Sequence, residues 1–311
     1  MKIVFFGSGK IAVPCLEALI HSKRKILCVV TAPDRQKGRH LSISSTPIKD
    51  LALNQGLNIY QPSNLSGNAC LDYIKKLDPD IFVVFSYGKI LPEKMLDMPK
   101  IMPINIHASL LPKYRGAAPI NWALINGEAK TGITIIKMNK KMDEGDIVLK
   151  NEIDIEDSDS CITLEDKLSK LAVKTLRDTL KAIESNKVEL IKQDVNMASY
   201  APKLKKEDGR IDWNKSANQI RNHIRGCLPW PGSFTLYRDN LVKIWDVEVA
   251  SGKLEKNYHP GEIISFDKKG ILTATKDKAL LIKELQPSSG KRLDAWQFVQ
   301  GHKVESNSFF K

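Results

Sequence analysis

Ile3-Val4-Phe5-Phe6-Gly7-Ser8-Gly9-Lys10-Ile11-Ala12 decides the class of fold. Four consecutive β-branched or aromatic residues read as a strand buried on both faces, and the glycines after them turn the chain into a segment of helical period near 11–21. A strand that passes through a glycine turn into a helix is the first half of a βαβ unit. The Gly-x-Gly-x-x-Ala spacing also matches a dinucleotide-binding fingerprint, in which glycines let the backbone approach a pyrophosphate. The acid that should close the second strand is missing, however: that strand ends in Thr31-Ala32-Pro33-Asp34-Arg35, where a proline opens a polar loop. Glycines that simply pack the first turn tightly on the sheet account for the same letters.

The pattern that starts here continues to about residue 190. Short apolar runs predict strands at 2–6, 26–31, 81–85, 102–107, 131–137 and 147–150. Helices are expected near 11–21, 46–55, 67–77 and 117–126, and a longer one over 162–184 carries Ile162, Leu164, Leu168, Leu171, Val173, Leu176, Leu180 and Ile183 at helical spacing, with charged residues on the other face. The alternation predicts an α/β fold with a Rossmann-like, mostly parallel sheet in a domain spanning 1–191. Residues 192–210 lose periodicity and collect charge in Lys203-Leu204-Lys205-Lys206-Glu207-Asp208, as a linker would. Beyond it, over 211–311, a short helix near 216–225 precedes strands of period two at Phe234–Tyr237, Leu241–Trp245, Gly261–Ile264 and Ile271–Thr275, the layout of a small OB-like β-barrel.

With 311 residues, 42% apolar and 27% charged, the composition excludes a disordered or low-complexity chain. Apolar runs such as Ile81–Phe85 are far shorter than the roughly 20 residues a membrane span needs, so no membrane is expected as a partner. The run Ile3–Phe6 is expected to be a strand and not an export signal. Five cysteines without Cys-x-x-Cys spacing point to a reducing cytoplasm, and six histidines without a His-x-x-x-His pair give no support to a metal. The formal charge is +12; residues 201–311 hold 20 Lys and Arg against 13 Asp and Glu, so the smaller part is the more densely basic.

The chemistry concentrates in Asn105-Ile106-His107-Ala108-Ser109-Leu110-Leu111-Pro112-Lys113-Tyr114-Arg115-Gly116-Ala117-Ala118-Pro119-Ile120. Residues two apart on a strand share a side, so Asn105 and His107 point the same way at a strand's carboxyl end, where open α/β sheets keep their ligand crevice. An amide beside an imidazole suits attack of an amine on a carbonyl: Asn105 can donate to the developing oxyanion, and His107 can manage the proton that the amine loses. A lone histidine at a strand end would more often be an ordinary satisfied side chain, but the Asn-x-His spacing and the Ser-Leu-Leu-Pro sequel argue for the site.

This string, together with the two-part layout, resembles the folate-dependent formyltransferases, and the likeness runs from Met1 to about Leu293. The resemblance implies a third polar group, Asp143 of Asp143-Glu144-Gly145, beside the Asn-x-His pair. Such a carboxylate would orient the imidazole, where the bare sequence shows only an acidic turn. It implies 10-formyltetrahydrofolate as co-substrate, with Ser109, Leu110, Leu111 and Pro112 touching tetrahydrofolate and Phe85, Tyr87, Gly88, Ile90 and Leu91 forming an apolar slot for its ring.

By likeness to members that act on charged initiator tRNA, Arg35, Lys37 and Arg39 of the loop after strand two would reach the acceptor end of initiator methionyl-tRNA. The chain has Leu41-Ser42-Ile43 where such relatives often place further lysines. The expected activity is formyl transfer to the α-amine of that tRNA by a cytoplasmic monomer without a metal. A formyltransferase of a small amine, such as an amino sugar nucleotide or a purine precursor, would share the three polar residues but has no use for the basic loop and basic barrel. A purely nucleic-acid-binding protein would not need the Asn-x-His and Asp-x-Gly elements.

Overall fold

An interior strand of the first sheet is Lys2–Gly7 (β1), whose residues Ile3 to Phe6 are fully buried, as a run of large apolar side chains requires when both sheet faces are covered. The structure is a computed structural model that describes residues 1–37, 42–252, 254 and 256–311. The remaining strands of this part are Lys25–Val30 (β2), Arg35–Lys37 (β3), Ser42–Ser44 (β4), Ile59–Tyr60 (β5), Ile81–Phe85 (β6), Met102–His107 (β7), Arg115–Gly116 (β8), Lys130–Lys137 (β9), Ile147–Asp154 (β10) and Tyr200–Ala201 (β11). Helices Val13–Ile20 (α1), Pro47–Asn54 (α2), Asn68–Lys76 (α3), Glu93–Leu96 (α4), Pro119–Ile125 (α5) and Cys161–Glu184 (α6) alternate with them.

Seven strands form one sheet in the order β10-β9-β7-β6-β1-β2-β5. From β5 to β7 all neighbours are parallel, while β9 runs antiparallel to β7 and β10 antiparallel to β9. The mostly parallel sheet expected from the sequence is therefore present, with one reversed strand, β9, between β7 and the edge strand β10. The reason is the connection: residues 138–146 between β9 and β10 are too few for a crossover, which takes a dozen or more, so the chain folds back as a hairpin. β10 also runs four residues past the expected end at 150, to Asp154. The polar loop after β2 contains a small antiparallel pair, β3 with β4.

Contacts divide the chain into one unit of 1–119, 130–154 and 165–202, and a second of 120–129, 155–164 and 203–311. Of the stretch expected to link two domains, 192–202 packs within the first unit, and β11 pairs in parallel with β8 there.

The second unit adds Ala217–Gly226 (α7), Ala295–His302 (α8) and strands Ser233–Tyr237 (β12), Asn240–Val249 (β13), Ile263–Asp267 (β14), Gly270–Ala274 (β15), Ala279–Pro287 (β16) and Leu293–Asp294 (β17). Its antiparallel order is β12-β13-β16-β15-β14, with β17 beside β16. The carboxyl-terminal tail joins the two ends of that path. Leu236 of β12 exchanges both backbone hydrogen bonds with Lys311 at 2.9 Å, and Ile263 of β14 donates to Ser308 and accepts from Asn307 at 2.8 and 2.9 Å. The sheet thus closes into the small barrel, and no edge is left between β12 and β14. Inside it, Phe310 stacks on Trp213 with ring centroids 5.8 Å apart, and the Trp213 indole N–H donates to the Thr235 hydroxyl at 3.0 Å.

Candidate active site

Asn105 and His107 lie two apart on β7, the strand that pairs with β6 on one side and β9 on the other, so the carboxyl end of β7 is held at both edges. Ile104 and Ile106 fill the opposite face and are buried. His107 is itself buried, and its Nε2 lies 2.8 Å from the carbonyl oxygen of Tyr114. A carbonyl can only accept, so Nε2 carries the hydrogen, which fixes the tautomer of the neutral ring and leaves the Nδ1 lone pair on the other side. Nδ1 is 3.5 Å from Oδ2 of Asp143.

Asp143 sits in the hairpin loop between β9 and β10 with φ of +56°, a left-handed conformation that Asp tolerates better than most residues. Gly145 makes the turn possible: a Cβ there would run into the backbone carbonyl of Lys137. The carboxylate that this loop presents has no idle oxygen. Oδ1 accepts from Asn105 Nδ2 at 3.2 Å, and Oδ2 accepts from the Gly116 backbone N–H at 2.9 Å while facing the imidazole. The three polar residues expected to meet do meet, and one carboxylate organises the other two.

The folate-slot candidates leave the same end of the sheet, because Phe85 of β6 is in register with Ile106 of β7. Phe85, Tyr87 and Leu91 are buried, whereas Ile90 is 75% exposed. Tyr87 packs edge-on against Phe6 at 5.6 Å, its hydroxyl is buried without a hydrogen-bond partner, and burial pushes its pKa up to about 12. Gly88 has φ of +79° with open space where a Cβ would stand. A buried hydroxyl lacking a partner, an exposed aliphatic residue and an uncluttered glycine fit a flat heteroaromatic group with polar edges.

After β7, Ser109 Oγ donates to Lys113 O at 2.6 Å, and the Thr134 hydroxyl accepts from Leu111 N and donates to Ser109 O. Ser109 and Leu111 are thus committed to shaping their own loop, with half-buried Leu110 and Pro112 between and after them.

The glycine fingerprint takes the packing role. Ser8 and Gly9 donate their N–H groups to Ser86 O at 3.1 and 3.0 Å, and a Cβ on Gly9 would strike the Ser86 side chain. The amides that a pyrophosphate would need are already bonded. Of the expected tRNA contacts, Arg35 is exposed on β3 and Lys37 ends that strand, while Arg39 lies outside the described residues. Among the described residues no group of three or more His, Cys, Asp and Glu side chains is placed to hold a metal ion, and no helix is long and apolar enough to cross a membrane.

Sequence reasoning missed Tyr114, Ser199 and Gln193. Tyr114 offers its carbonyl to His107 from a left-handed conformation (φ +63°), rare for an aromatic residue, and its N–H donates to Ser199 Oγ at 2.9 Å. Nothing in the local pattern around 193–199 marks Gln193 or Ser199, since their partners lie 48 to 85 positions earlier.

Residues 1–180 match the formyl transferase family model, and residues 203–303 match that of the formyl transferase C-terminal domain. A methionyl-tRNA formyltransferase of Clostridioides difficile (strain 630) is 42% identical over 306 residues, covering 98% of this chain and 98% of that one. The chain belongs to the methionyl-tRNA formyltransferase family. It is a one-carbon group transferase, as the Asn105–Ile120 string implied.

The fold is also that of an N-formyltransferase from Helicobacter canadensis solved with folinic acid and dTDP-3-aminofucose (TM-score 0.69, 18% identity, 94% of this chain and 100% of that one). It is shared again with HypX from Aquifex aeolicus in complex with tetrahydrofolic acid (TM-score 0.63, 14% identity), of which this chain spans half.

Proposed function

We propose that this chain transfers the formyl group of 10-formyltetrahydrofolate to the α-amine of methionyl-initiator-tRNA, with Asn105, His107 and Asp143 at the reacting centre. The observation that carries the assignment is the Asp143 carboxylate, which bonds Asn105 and Gly116 and faces His107 although it comes from a separate loop 38 residues on.

The residues divide the work as their bonds dictate. The α-amine, with an ordinary pKa of about 8, is partly neutral at physiological pH and can attack the formyl carbon. As the new C–N bond forms, negative charge gathers on the formyl oxygen. Asn105 Nδ2 has a second hydrogen to donate to it, the first being held by Asp143. The amine must lose a proton, and His107 Nδ1 is the free acceptor on the ring because Nε2 is tied to Tyr114 O. An imidazolium so formed would face the Asp143 carboxylate, which stabilises it. Returning a proton to N10 of the folate as the C–N10 bond breaks completes the transfer.

Tetrahydrofolate would lie against Phe85, Tyr87, Gly88, Ile90 and Leu91 and against Ser109 to Pro112. The tRNA acceptor end would meet the loop that carries Arg35, Lys37 and Arg39. On the barrel surface, Arg292 lies 4.3 Å from the Trp245 ring centroid with Lys243 on the same ring at 5.8 Å, a cationic and aromatic patch suited to phosphates. The reading includes a cytoplasmic location, supported by five buried free cysteines, and action as a monomer.

The test is formyl transfer measured with charged initiator and elongator methionine tRNAs. Asn105→Ala and His107→Ala should each lower kcat by roughly 10²–10³ with near-normal folate affinity, and Arg39→Ala should raise KM for the initiator tRNA. Wild-type turnover in both alanine variants would remove the assignment.

A further inference from the structure

The amide of Gln193 is fully engaged, and every one of its bonds reaches the loop or the segment that holds the reacting residues. Nε2 donates to Asp143 O and to Gly145 O, both at 2.8 Å, so its two hydrogens clamp the two ends of the Asp143-Glu144-Gly145 turn. Oε1 accepts from Nε and Nη2 of Arg115 at 3.1 and 2.8 Å. Arg115, only 4% exposed, sends its Nη1 on to Glu144 at 3.2 Å, so the guanidinium holds the middle of the same turn.

The neighbours of Arg115 do the rest. Tyr114 gives its carbonyl to His107 and Gly116 its N–H to Asp143. The backbone of that short segment is itself fixed by 199–201, through Arg115 N to Ser199 O at 2.8 Å and the pairing of β8 with β11. Residues 181–202 belong to neither stretch matched by the family models, and the sequence reads part of them as linker.

We infer that Gln193 is a positioning residue of the formyl-transfer site, which holds Asp143 in its left-handed turn so that the carboxylate stays between Asn105, His107 and Gly116. This rests on the assignment of Asp143 to the reacting centre. Two features make the side chain more than a strut. Asp143 has φ of +56°, a conformation that is not a relaxed default for a non-glycine residue, and the carbonyls on both sides of the turn are satisfied by one nitrogen. Released from that nitrogen, the loop could keep its fold and still move the carboxylate by a fraction of an ångström, which is enough to cost turnover without costing binding.

The experiment compares Gln193→Ala, Gln193→Glu and Asp143→Ala, and the doubles with Asp143→Ala, in the full chain. Gln193→Glu keeps the volume and the acceptor for Arg115 but has no N–H for the two carbonyls. Both Gln193 variants should lower kcat by 10- to 100-fold, leave the KM values for tRNA and folate within about twofold, and change the pH profile of kcat. In the Asp143→Ala background, neither should lower kcat by more than a further twofold, because a residue that acts only through Asp143 has nothing left to position.

Gln193→Glu with wild-type turnover overturns the inference, including the case in which Gln193→Ala fails to fold, since Gln193 would then be only a support for Arg115. Full multiplication of the two losses in the doubles overturns it as well. If Asp143→Ala itself keeps wild-type turnover, the assignment of the reacting centre falls and this inference with it; a loss in Asp143→Ala alone removes only the inference about Gln193.

Discussion

His107 and Asp143 face each other with Nδ1 3.5 Å from Oδ2, longer than a hydrogen bond, while the same Oδ2 is held at 2.9 Å by the Gly116 N–H. The carboxylate is anchored by the backbone and only poised toward the ring. A proton arriving on Nδ1 turns that poised contact into a charge-assisted one.

Asp143→Asn keeps an oxygen that can accept from the Gly116 N–H, but it removes the negative charge facing the ring and turns an amide nitrogen toward Asn105 Nδ2, a donor against a donor. The expected result is a kcat lowered by at least 100-fold, near-normal folate affinity and a displaced pH–rate profile. An unchanged profile at reduced kcat would make the carboxylate a spacer.

Gly145→Ala tests the turn from the other side. A Cβ at 145 meets the Lys137 backbone carbonyl, and Lys137 N is bonded to Asp146 O at 2.9 Å, so neither strand end can yield alone. The loop must shift, at a cost of about 1–3 kcal/mol. Thermal melting should show a lowered Tm, and kcat should fall by more than tenfold. A variant with lowered Tm and wild-type kcat would show that the Asp143 carboxylate tolerates movement of its loop.

Much of this was readable in the letters, for identifiable reasons. Ile81–Phe85 carries five apolar residues in a row and becomes a strand buried throughout. Asn105 and His107 share a side because of the period of a single strand, a local property. Asp143 could be placed only by family resemblance, since its approach depends on β9 reversing direction beside β7. Gln193 had no local signal at all: its meaning lies in carbonyls 48 and 50 positions away. The strand Ala279–Pro287 went unread because Leu280-Leu281-Ile282 breaks the alternation that marks half-buried strands.

The second unit contains a titrating group that predicts how stability follows pH. His223 of α7 is enclosed: Nε2 lies 2.7 Å from Asp208 O, Nδ1 lies 3.3 Å from Ser233 Oγ, and Cys227 Sγ is 3.6 Å away. Burial lowers its pKa below the ordinary 6.5, and the Asp208 contact opposes this only in part. A base whose folded pKa is lowered binds its proton more weakly folded than unfolded, so its contribution is complete above about pH 6.5 and declines as the pH falls from there toward the folded value. Between pH 7.5 and 5.5 the Tm of the barrel should drop, and His223→Gln should be less stable at pH 7.5 but show a flatter decline. Equal slopes in the two proteins would assign the acid sensitivity elsewhere.

Closure of the barrel rests on the tail. Phe310 is 2% exposed, stacks on Trp213 and lies 5.5 Å from the Tyr237 ring, so it is the one large side chain by which Asn307–Lys311 is fastened to the core. Phe310→Ala removes that anchor and leaves a cavity, a loss of about 3–5 kcal/mol in a well-packed interior. The hydrogen bonds at either end of the tail then have to hold alone, although backbone pairs at a sheet edge open readily once the packing beneath them is gone. The amides of Leu236 and Ile263, which donate to Lys311 O and Ser308 O, should lose hydrogen-exchange protection together. Ile271 and Ile282, paired in the middle of the sheet, should keep theirs at low temperature. Equal loss at all four positions would mean that the barrel opens only as a whole. Retained protection at Leu236 and Ile263 would mean that backbone pairing, and not Phe310, keeps the tail in place.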